Sequence, residues 1–143
     1  MFSHIMIGAN DIEESKTFYD NVLGVLGCEP GVLSVNPTGH NRYMYFLDGS
    51  TFLISEPIDG EVATHGNGST VGFSVKDEET GNAWHAAGLE NGGATCEDPP
   101  GVREGLGMKL AKPPTPVLIW WLGFCLVTVG IELSWFHGIL DFI

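Results

Sequence analysis

The start of the chain changes from a strand-like to a helix-like spacing of hydrophobic positions. Within residues 2–9 isoleucines alternate with His4 and Met6, so the isoleucines face one side of a strand and His4 and Met6 face the other. The polar pair Asn10-Asp11 can cap a helix, and apolar side chains then recur at helical spacing. The pattern predicts a strand over 2–9 and a helix over 12–26.

Short apolar runs separated by turn residues follow this helix. Asp48-Gly49 is the clearest hairpin signal, because such a pair favours the tight turn between adjacent antiparallel strands. A linker rich in Gly, Asp and Asn, residues 57–69, separates the first unit from a second strand and helix. The elements predicted after the first helix are strands over 32–35, 42–47, 51–56 and 70–75, a helix over 78–91, an extended piece over 94–98 and a weak strand over 107–111.

The two predicted helices belong to an internal repeat with an offset of 66 residues. The segment DIEESKTFYDNVLGVLG begins at Asp11, and DEETGNAWHAAGLENGG begins at Asp77. Within the repeat Phe18 falls on Trp84, and each copy has an apolar strand before its helix and a glycine after it. These matches favour duplication of one supersecondary unit over chance similarity between two amphipathic helices.

Composition narrows the class of protein and of partner. The 143 residues carry 6 Lys and Arg against 18 Asp and Glu, a net charge of −12, so the chain lacks the basic surface that nucleic acid needs. Its 3 cysteines have neither metal-knuckle nor redox-pair spacing, which indicates reduced packing residues. No basic region followed by an apolar core opens the chain, so a cytoplasmic protein is the expectation.

Four segments together resemble the glyoxalase/bleomycin resistance/dioxygenase (vicinal oxygen chelate) superfamily. HIMIGANDIEESKTFYDNVLG is similar to the opening strand and helix of these proteins, and FLDGSTFLISEP to their third and fourth strands. HGNGSTVGFSV resembles the crossing into their second module, and AWHAAGLENGGATCEDPPGVREG resembles its helix and following loop. The resemblance covers residues 1–111. It implies an α+β fold in which paired βαβββ modules, about 1–57 and 69–111, form a cupped mixed sheet with the helices outside and the second module incomplete or altered at its C-terminal end.

The resemblance also implies a small-molecule site, which holds a divalent metal in the metal-dependent members. Their ligands come from the first and fourth strands of each module, which gives His4 and Glu56 as ligands for Zn, Ni, Fe or Mn, with Glu56 also the catalytic carboxylate. The second-module equivalents, Thr70 and Leu122, are poor ligands, whereas a catalytic zinc normally has three protein ligands. The residues expected to line the small-molecule site are Met6, Tyr45, Phe52, Ile54 and Thr70.

The same side chains have purely structural interpretations. His4 can be a strand-end histidine that is hydrogen-bonded in a cleft, and Glu56 can be a solvated strand end. Glu56 shares a strand face with Phe52 and Ile54, an unusual place for a carboxylate unless it has a partner. The aromatic residues expected to serve packing rather than a cofactor cage are Tyr43, Tyr45, Phe73 and Trp84.

The segment 112–143 does not fit the family. Its prolines block regular structure, and an almost wholly apolar run over 117–131 follows them. Three explanations stand: a foreign gene end, a membrane anchor through 117–131, or replacement strands over 117–122 and 124–131 that pair with each other or with another subunit. The aromatic content of this tail is too large to leave in water, so we expect a self-associated protein, most simply a homodimer, with the tail buried.

Two functions from different classes follow from the sequence. The first is an enzyme, a glyoxalase-like lyase, isomerase or ring-cleaving dioxygenase, in which a metal polarises vicinal oxygens of the substrate. The second is a metal-free binding module of the bleomycin-resistance type for a small, partly aromatic molecule, to which the negative charge would steer cationic ligands. His4 and Glu56 favour the first function, and Thr70 and Leu122 favour the second.

Overall fold

The computed structural model describes residues 2–64, 71–95 and 124–125, and two helices and six strands lie in these ranges. The first five elements complete one β-α-β-β-β unit. In chain order the elements are β1 (Ile5–Gly8), α1 (Ile12–Gly24), β2 (Val32–Val35), β3 (Asn41–Leu47), β4 (Ser50–Ser55), α2 (Glu78–Glu90), β5 (Ala94–Thr95) and β6 (Phe124–Cys125).

Both helices begin after an aspartate, as the repeat predicts. The Asp11 carboxylate accepts a hydrogen bond from the Glu14 amide, and the Asp77 carboxylate accepts one from the Thr80 amide. Each bond satisfies an amide that the first helical turn leaves without a partner. The two helices pack against each other. The predicted helices over 12–26 and 78–91 are therefore confirmed, with ends one or two residues earlier than expected.

Four strands form a mixed sheet in the order β1-β4-β3-β2. β1 runs parallel to β4, and the other two pairs are antiparallel. The β3–β4 turn uses Asp48 and Gly49, whose φ angles are 49° and 75°. Two successive positive φ angles match the right-handed twist of a hairpin, which is why an Asp-Gly pair occurs there.

The core lies between α1 and the sheet and continues to α2 through aromatic rings. Tyr19 of α1 contacts Phe52 of β4 at a ring-centroid distance of 4.9 Å. Phe52 contacts Phe73 at 5.4 Å, and Phe73 contacts Trp84 of α2 at 5.8 Å. This series of rings joins the first unit to the second helix. The aromatic residues expected in packing are therefore packing residues.

The second unit differs from its expected form. Residues 71–75 make no strand pairing, although Phe73 and Val75 pack against the core. A strand needs a neighbour for its backbone groups, and the described residues provide none at this place. β5 is two residues long and pairs with β6, which belongs to the tail. The expected strand over 107–111, the rest of the piece over 94–98, and the proposed strand over 117–122 lie outside the described residues.

The described architecture is an α+β fold with a mixed four-stranded sheet and two helices, with an incomplete C-terminal part. The fold class implied by the sequence is therefore confirmed. The division into modules over 1–57 and 69–111 and a tail over 112–143 stays a prediction. No helix within the described ranges is long and apolar enough to cross a membrane. The proposed anchor over 117–131 lies outside those ranges.

Candidate functional site

The four-stranded sheet has one face packed under α1 and one face that no described helix covers. On β3, Tyr43 and Tyr45 point toward α1, where the Tyr43 hydroxyl donates to Glu13 at 2.7 Å. On β4, Phe52 and Ile54 point the same way and belong to the same core. Because side chains alternate along a strand, the residues between these core positions point to the opposite side. We call that side the open face.

An apolar row crosses the open face from one edge strand to the other. The register places Val32 of β2 beside Met44 of β3, Met44 beside Leu53 of β4, and Leu53 beside Met6 of β1. Val32 and Met6 at the two ends are 57 % and 50 % exposed, whereas Leu53 in the middle is 6 % exposed. The row is thus exposed at its two ends, whereas its centre, Leu53, is buried. Its two methionines can adapt to ligands of different shape.

Polar side chains border this row on one side. Arg42 of β3 lies level with Ser34 of β2 and Ser55 of β4, and its Nε donates to the Ser34 hydroxyl at 3.2 Å. On the other side, Phe46 is level with Thr51 and is 54 % exposed. The open face therefore offers an aromatic side chain and an apolar row at one end and the Arg42 guanidinium with the Ser34 hydroxyl at the other. The Ser55 hydroxyl is buried and donates to the Glu56 carbonyl oxygen at 2.8 Å. Such a surface can hold an apolar body and one oxygen acceptor.

The residues expected to line the small-molecule site divide between the two faces. Met6 lies on the open face. Tyr45, Phe52 and Ile54 are 2 %, 8 % and 0 % exposed and lie in the core under α1. Thr70 lies outside the described residues. The neighbours of Met6 across the sheet were not predicted, although the alternation of β3 and β4 indicates them once Met6 defines the face. The missed residues are Val32, Arg42, Met44 and Leu53.

The Glu56 carboxylate, on the core side of β4, has a hydrogen-bond partner. Its Oε2 accepts a hydrogen bond from the Asn41 amide at 2.6 Å, and its own amide donates to the Asn41 carbonyl oxygen at 3.0 Å. The carboxylate therefore takes the place of a backbone carbonyl in the last rung of the β3–β4 ladder, directly before Pro57. The contact accounts for a carboxylate at this position without a metal.

The structure does not bring His4 and Glu56 together. Ile5 pairs with Phe52 in the parallel β1–β4 register, so His4 is level with Thr51, five residues before Glu56. At a rise of about 3.3 Å per residue the two lie on the order of 16 Å apart along the strands, whereas metal–ligand bonds are about 2 Å. Within the described ranges no three His, Cys, Asp or Glu side chains cluster as a metal site would require. Within the described residues His4 and Glu56 therefore do not form one metal site, and the metal that the resemblance implied stays a prediction.

His4 itself is exposed, and its Nδ1 lies 2.9 Å from the Ser3 hydroxyl. Continuing the alternation of β1 beyond Ile5 places His4 on the side of Met6, next to the open face. Its imidazole is thus available to a ligand at that rim. The metal role of His4 stays a prediction.

A second carboxylate, that of Asp20 on α1, forms polar contacts on the side of the sheet that α1 covers. It forms an ion pair with Lys16, accepts from the Gly31 amide at 2.9 Å and accepts from the Tyr45 hydroxyl at 3.1 Å. Burial opposes its ionisation, but the hydrogen bonds from Lys16, Gly31 and Tyr45 outweigh that effect and lower the pKa of Asp20. The network anchors the Tyr45 hydroxyl at α1, on the core side of the sheet.

Similarity to known proteins indicates the family of the chain. No protein-family model matches it, and no curated protein matches it. The crystal structure of a glyoxalase/bleomycin resistance protein from Albidiferax ferrireducens is similar, with 55 % sequence identity and a TM-score of 0.65. The match covers 72 % of this chain and 81 % of that one. The fold is that of a glyoxalase-type protein. The chain belongs to the glyoxalase/bleomycin resistance protein family.

Proposed function

We propose that the protein binds a small, partly aromatic molecule on the open face of its sheet and needs no metal to do so. The observation that carries the proposal is the row of Val32, Met44, Leu53 and Met6, which ends at Arg42 and Ser34. Apolar contact area with one well-placed polar group is the usual composition of a small-molecule site. The similar solved structure, a glyoxalase/bleomycin resistance protein, supports the family and does not favour binding over catalysis.

The charges of the chain restrict the ligand. A net charge of −12 repels polyanions such as nucleic acid at long range. Arg42 nevertheless supplies a guanidinium to the open face, and its remaining N–H groups can donate to an oxygen. The fitting ligand is thus a small molecule with an apolar or aromatic body and a single carboxylate, carbonyl or hydroxyl oxygen.

A metal-dependent lyase or dioxygenase is the second candidate, and exposed His4 at the rim of the open face is the observation that favours it. Glu56, its expected partner, is held by the Asn41 amide at the opposite end of the strands. We therefore derive no step through a metal. This candidate differs from the first in requiring an added divalent cation for binding.

The test uses 2-naphthoate, which combines an aromatic body with a carboxylate, and isothermal titration calorimetry of the full chain in EDTA. We expect binding in EDTA that Arg42→Gln weakens by about tenfold or more, because a hydrogen bond to a charged group contributes about 1.5–3 kcal/mol. Met6→Glu should weaken it comparably by placing a carboxylate in the apolar row.

Matched controls carry the same charge changes away from the open face. Lys76→Gln and Val62→Glu alter exposed loop residues and should leave the affinity unchanged. Binding that occurs only after Zn²⁺ or Ni²⁺ is added would support the metal-dependent candidate. Absence of binding with and without metal, or equal affinity in Arg42→Gln and Lys76→Gln, would overturn the proposal.

A further inference from the structure

The edge of the sheet formed by β2 exposes apolar side chains on both of its faces. β2 is the last strand of the order β1-β4-β3-β2, and no described strand pairs with its outer edge. Leu33 and Val35 point to the side of α1 but are 52 % and 58 % exposed, and Val32 on the open face is 57 % exposed. The helix thus covers β3 and β4 and leaves β2 uncovered. An exposed apolar edge strand is a template for another strand.

The hydrogen bonds between β2 and β3 show which backbone groups of β2 point away from β3, toward the outer edge of the sheet. The Asn36 amide donates to the His40 carbonyl, so Asn36 and every second residue before it face β3. Leu33 and Val35 alternate with those residues, so their N–H and C=O groups point outward. The strand accordingly presents two donors and two acceptors beside two exposed apolar side chains.

The sequence around the edge favours a second copy of this chain as the partner. From Pro30 to Asn41 there is no Lys, Arg, Asp or Glu, in a chain whose net charge is −12. Two copies repel each other elsewhere, but at this edge they can approach without placing like charges opposite one another. An antiparallel copy also matches the edge, because each outward donor then meets an outward acceptor.

We propose that two copies pair antiparallel through β2, with a twofold axis at Ser34. Leu33 then lies opposite Val35 of the partner subunit, and each of these pairs exchanges two backbone hydrogen bonds. The apolar side chains of both pairs meet on the α1 side. Pro37 has no N–H, and the Gly31 amide already donates to Asp20, so the ladder ends after these two pairs.

The pairing produces a continuous sheet of twice the width. A twofold axis perpendicular to the sheet keeps the two open faces on the same side and both α1 helices on the other. The two candidate sites then lie side by side, with Val32 and Ser34 of each copy nearest the axis. The inference goes beyond the proposed binding function and does not depend on it.

A cross-link at the axis tests the register directly in the full chain. The Ser34 positions of the two copies form a non-hydrogen-bonded pair with a Cα separation of about 4.5 Å, which a disulfide can span. Under mild oxidation Ser34→Cys should give a covalent dimer whose linkage maps to position 34 in both chains. Val62→Cys, on an exposed loop, is the matched control and should not form such a dimer at a comparable rate. No linkage through position 34, or equal cross-linking of the control, would overturn the proposal.

Two further variants test the strand without a new thiol. Leu33→Lys places two charges in the interface, and Val35→Pro removes an outward N–H that the monomer does not use in the sheet. Both should weaken dimerisation by about tenfold or more in sedimentation equilibrium, with circular dichroism checking that the fold is kept. Val62→Lys should retain the dimer. A chain that is monomeric without substitution, or folded variants that dimerise as strongly as the parent chain, would refute pairing through β2.

Discussion

Replacing Glu56 distinguishes a structural carboxylate from a metal ligand. In the structure its Oε2 accepts the Asn41 amide at 2.6 Å and closes the β3–β4 ladder. Hydrogen bonds to charged groups contribute about 1.5–3 kcal/mol net, and since both residues are only half-buried we expect the lower end of that range. Glu56→Ala should therefore lower the free energy of unfolding by about 1–2 kcal/mol. Glu56→Gln keeps an acceptor without the charge and should cost about half as much.

The assay is urea unfolding followed by far-ultraviolet circular dichroism, in EDTA and again with added Zn²⁺. A structural role predicts the same order of stability in both buffers, with the parent chain highest, Glu56→Gln next and Glu56→Ala lowest. Glu61→Ala, at an exposed loop carboxylate, should stay within about 0.5 kcal/mol of the parent chain. If Glu56→Ala also stays within that margin, the Asn41 contact does not stabilise the fold. If Zn²⁺ stabilises the parent chain and not Glu56→Ala, Glu56 is a metal ligand.

Three further variants probe the packing that positions the open face. Asp20→Asn should lower the urea midpoint at pH 7, and the midpoint of this variant should decrease less than that of the parent chain below about pH 4. The lowered pKa of Asp20 stabilises the fold above the ordinary value of 3.8, and this contribution is lost as the pH falls through the folded pKa. Parallel pH profiles of the two proteins would refute this. Gly31→Ala should cost about 1–3 kcal/mol, since its new Cβ would lie 2.7 Å from the anchored Tyr45 ring, and an unchanged midpoint would show that the ring moves freely. Ile54→Ala should cost about 2–5 kcal/mol in the same assay because Ile54 is fully buried, and a cost below about 1 kcal/mol would contradict that placement.

Local signals in the sequence were sufficient for the helices and the hairpin. Asp11 and Asp77 each satisfy an amide three residues later, so a cap can be recognised within a few residues of chain. Asp48-Gly49 is similarly local, because its two positive φ angles determine the turn. The repeat strengthened both helix predictions, since each copy repeats the same capping residue and apolar spacing.

The candidate site could not be derived in the same way, because it depends on which face of the sheet α1 covers. Alternation showed that Phe52 and Ile54 share a face with Glu56, and the structure agrees and places that face in the core under α1. The side of the sheet is decided by tertiary packing of Tyr19 and its neighbours on β3 and β4, which no short window of sequence contains. The prediction that Tyr45, Phe52 and Ile54 line a ligand site came from the family resemblance alone.

The exposure of β2 shows how the same packing connects the fold to its surfaces. One helix on a four-stranded sheet covers the middle strands, so Ile54 is fully buried while Leu33, on the same face of the edge strand, is 52 % exposed. The opposite face has no described helix, so Met6 and Val32 stay exposed at both ends of a row whose centre, Leu53, is filled. The row and the edge are therefore uncovered for two different reasons. The row lies on the face away from α1, whereas Leu33 and Val35 lie on the face of α1 but beyond the strands that the helix covers. A second copy at the edge would pair the backbone of β2 and leave the apolar row uncovered. It would also bring the Ser34 residues of both copies, each bonded to an Arg42, to the twofold axis, so self-association would place the polar ends of the two candidate sites next to each other.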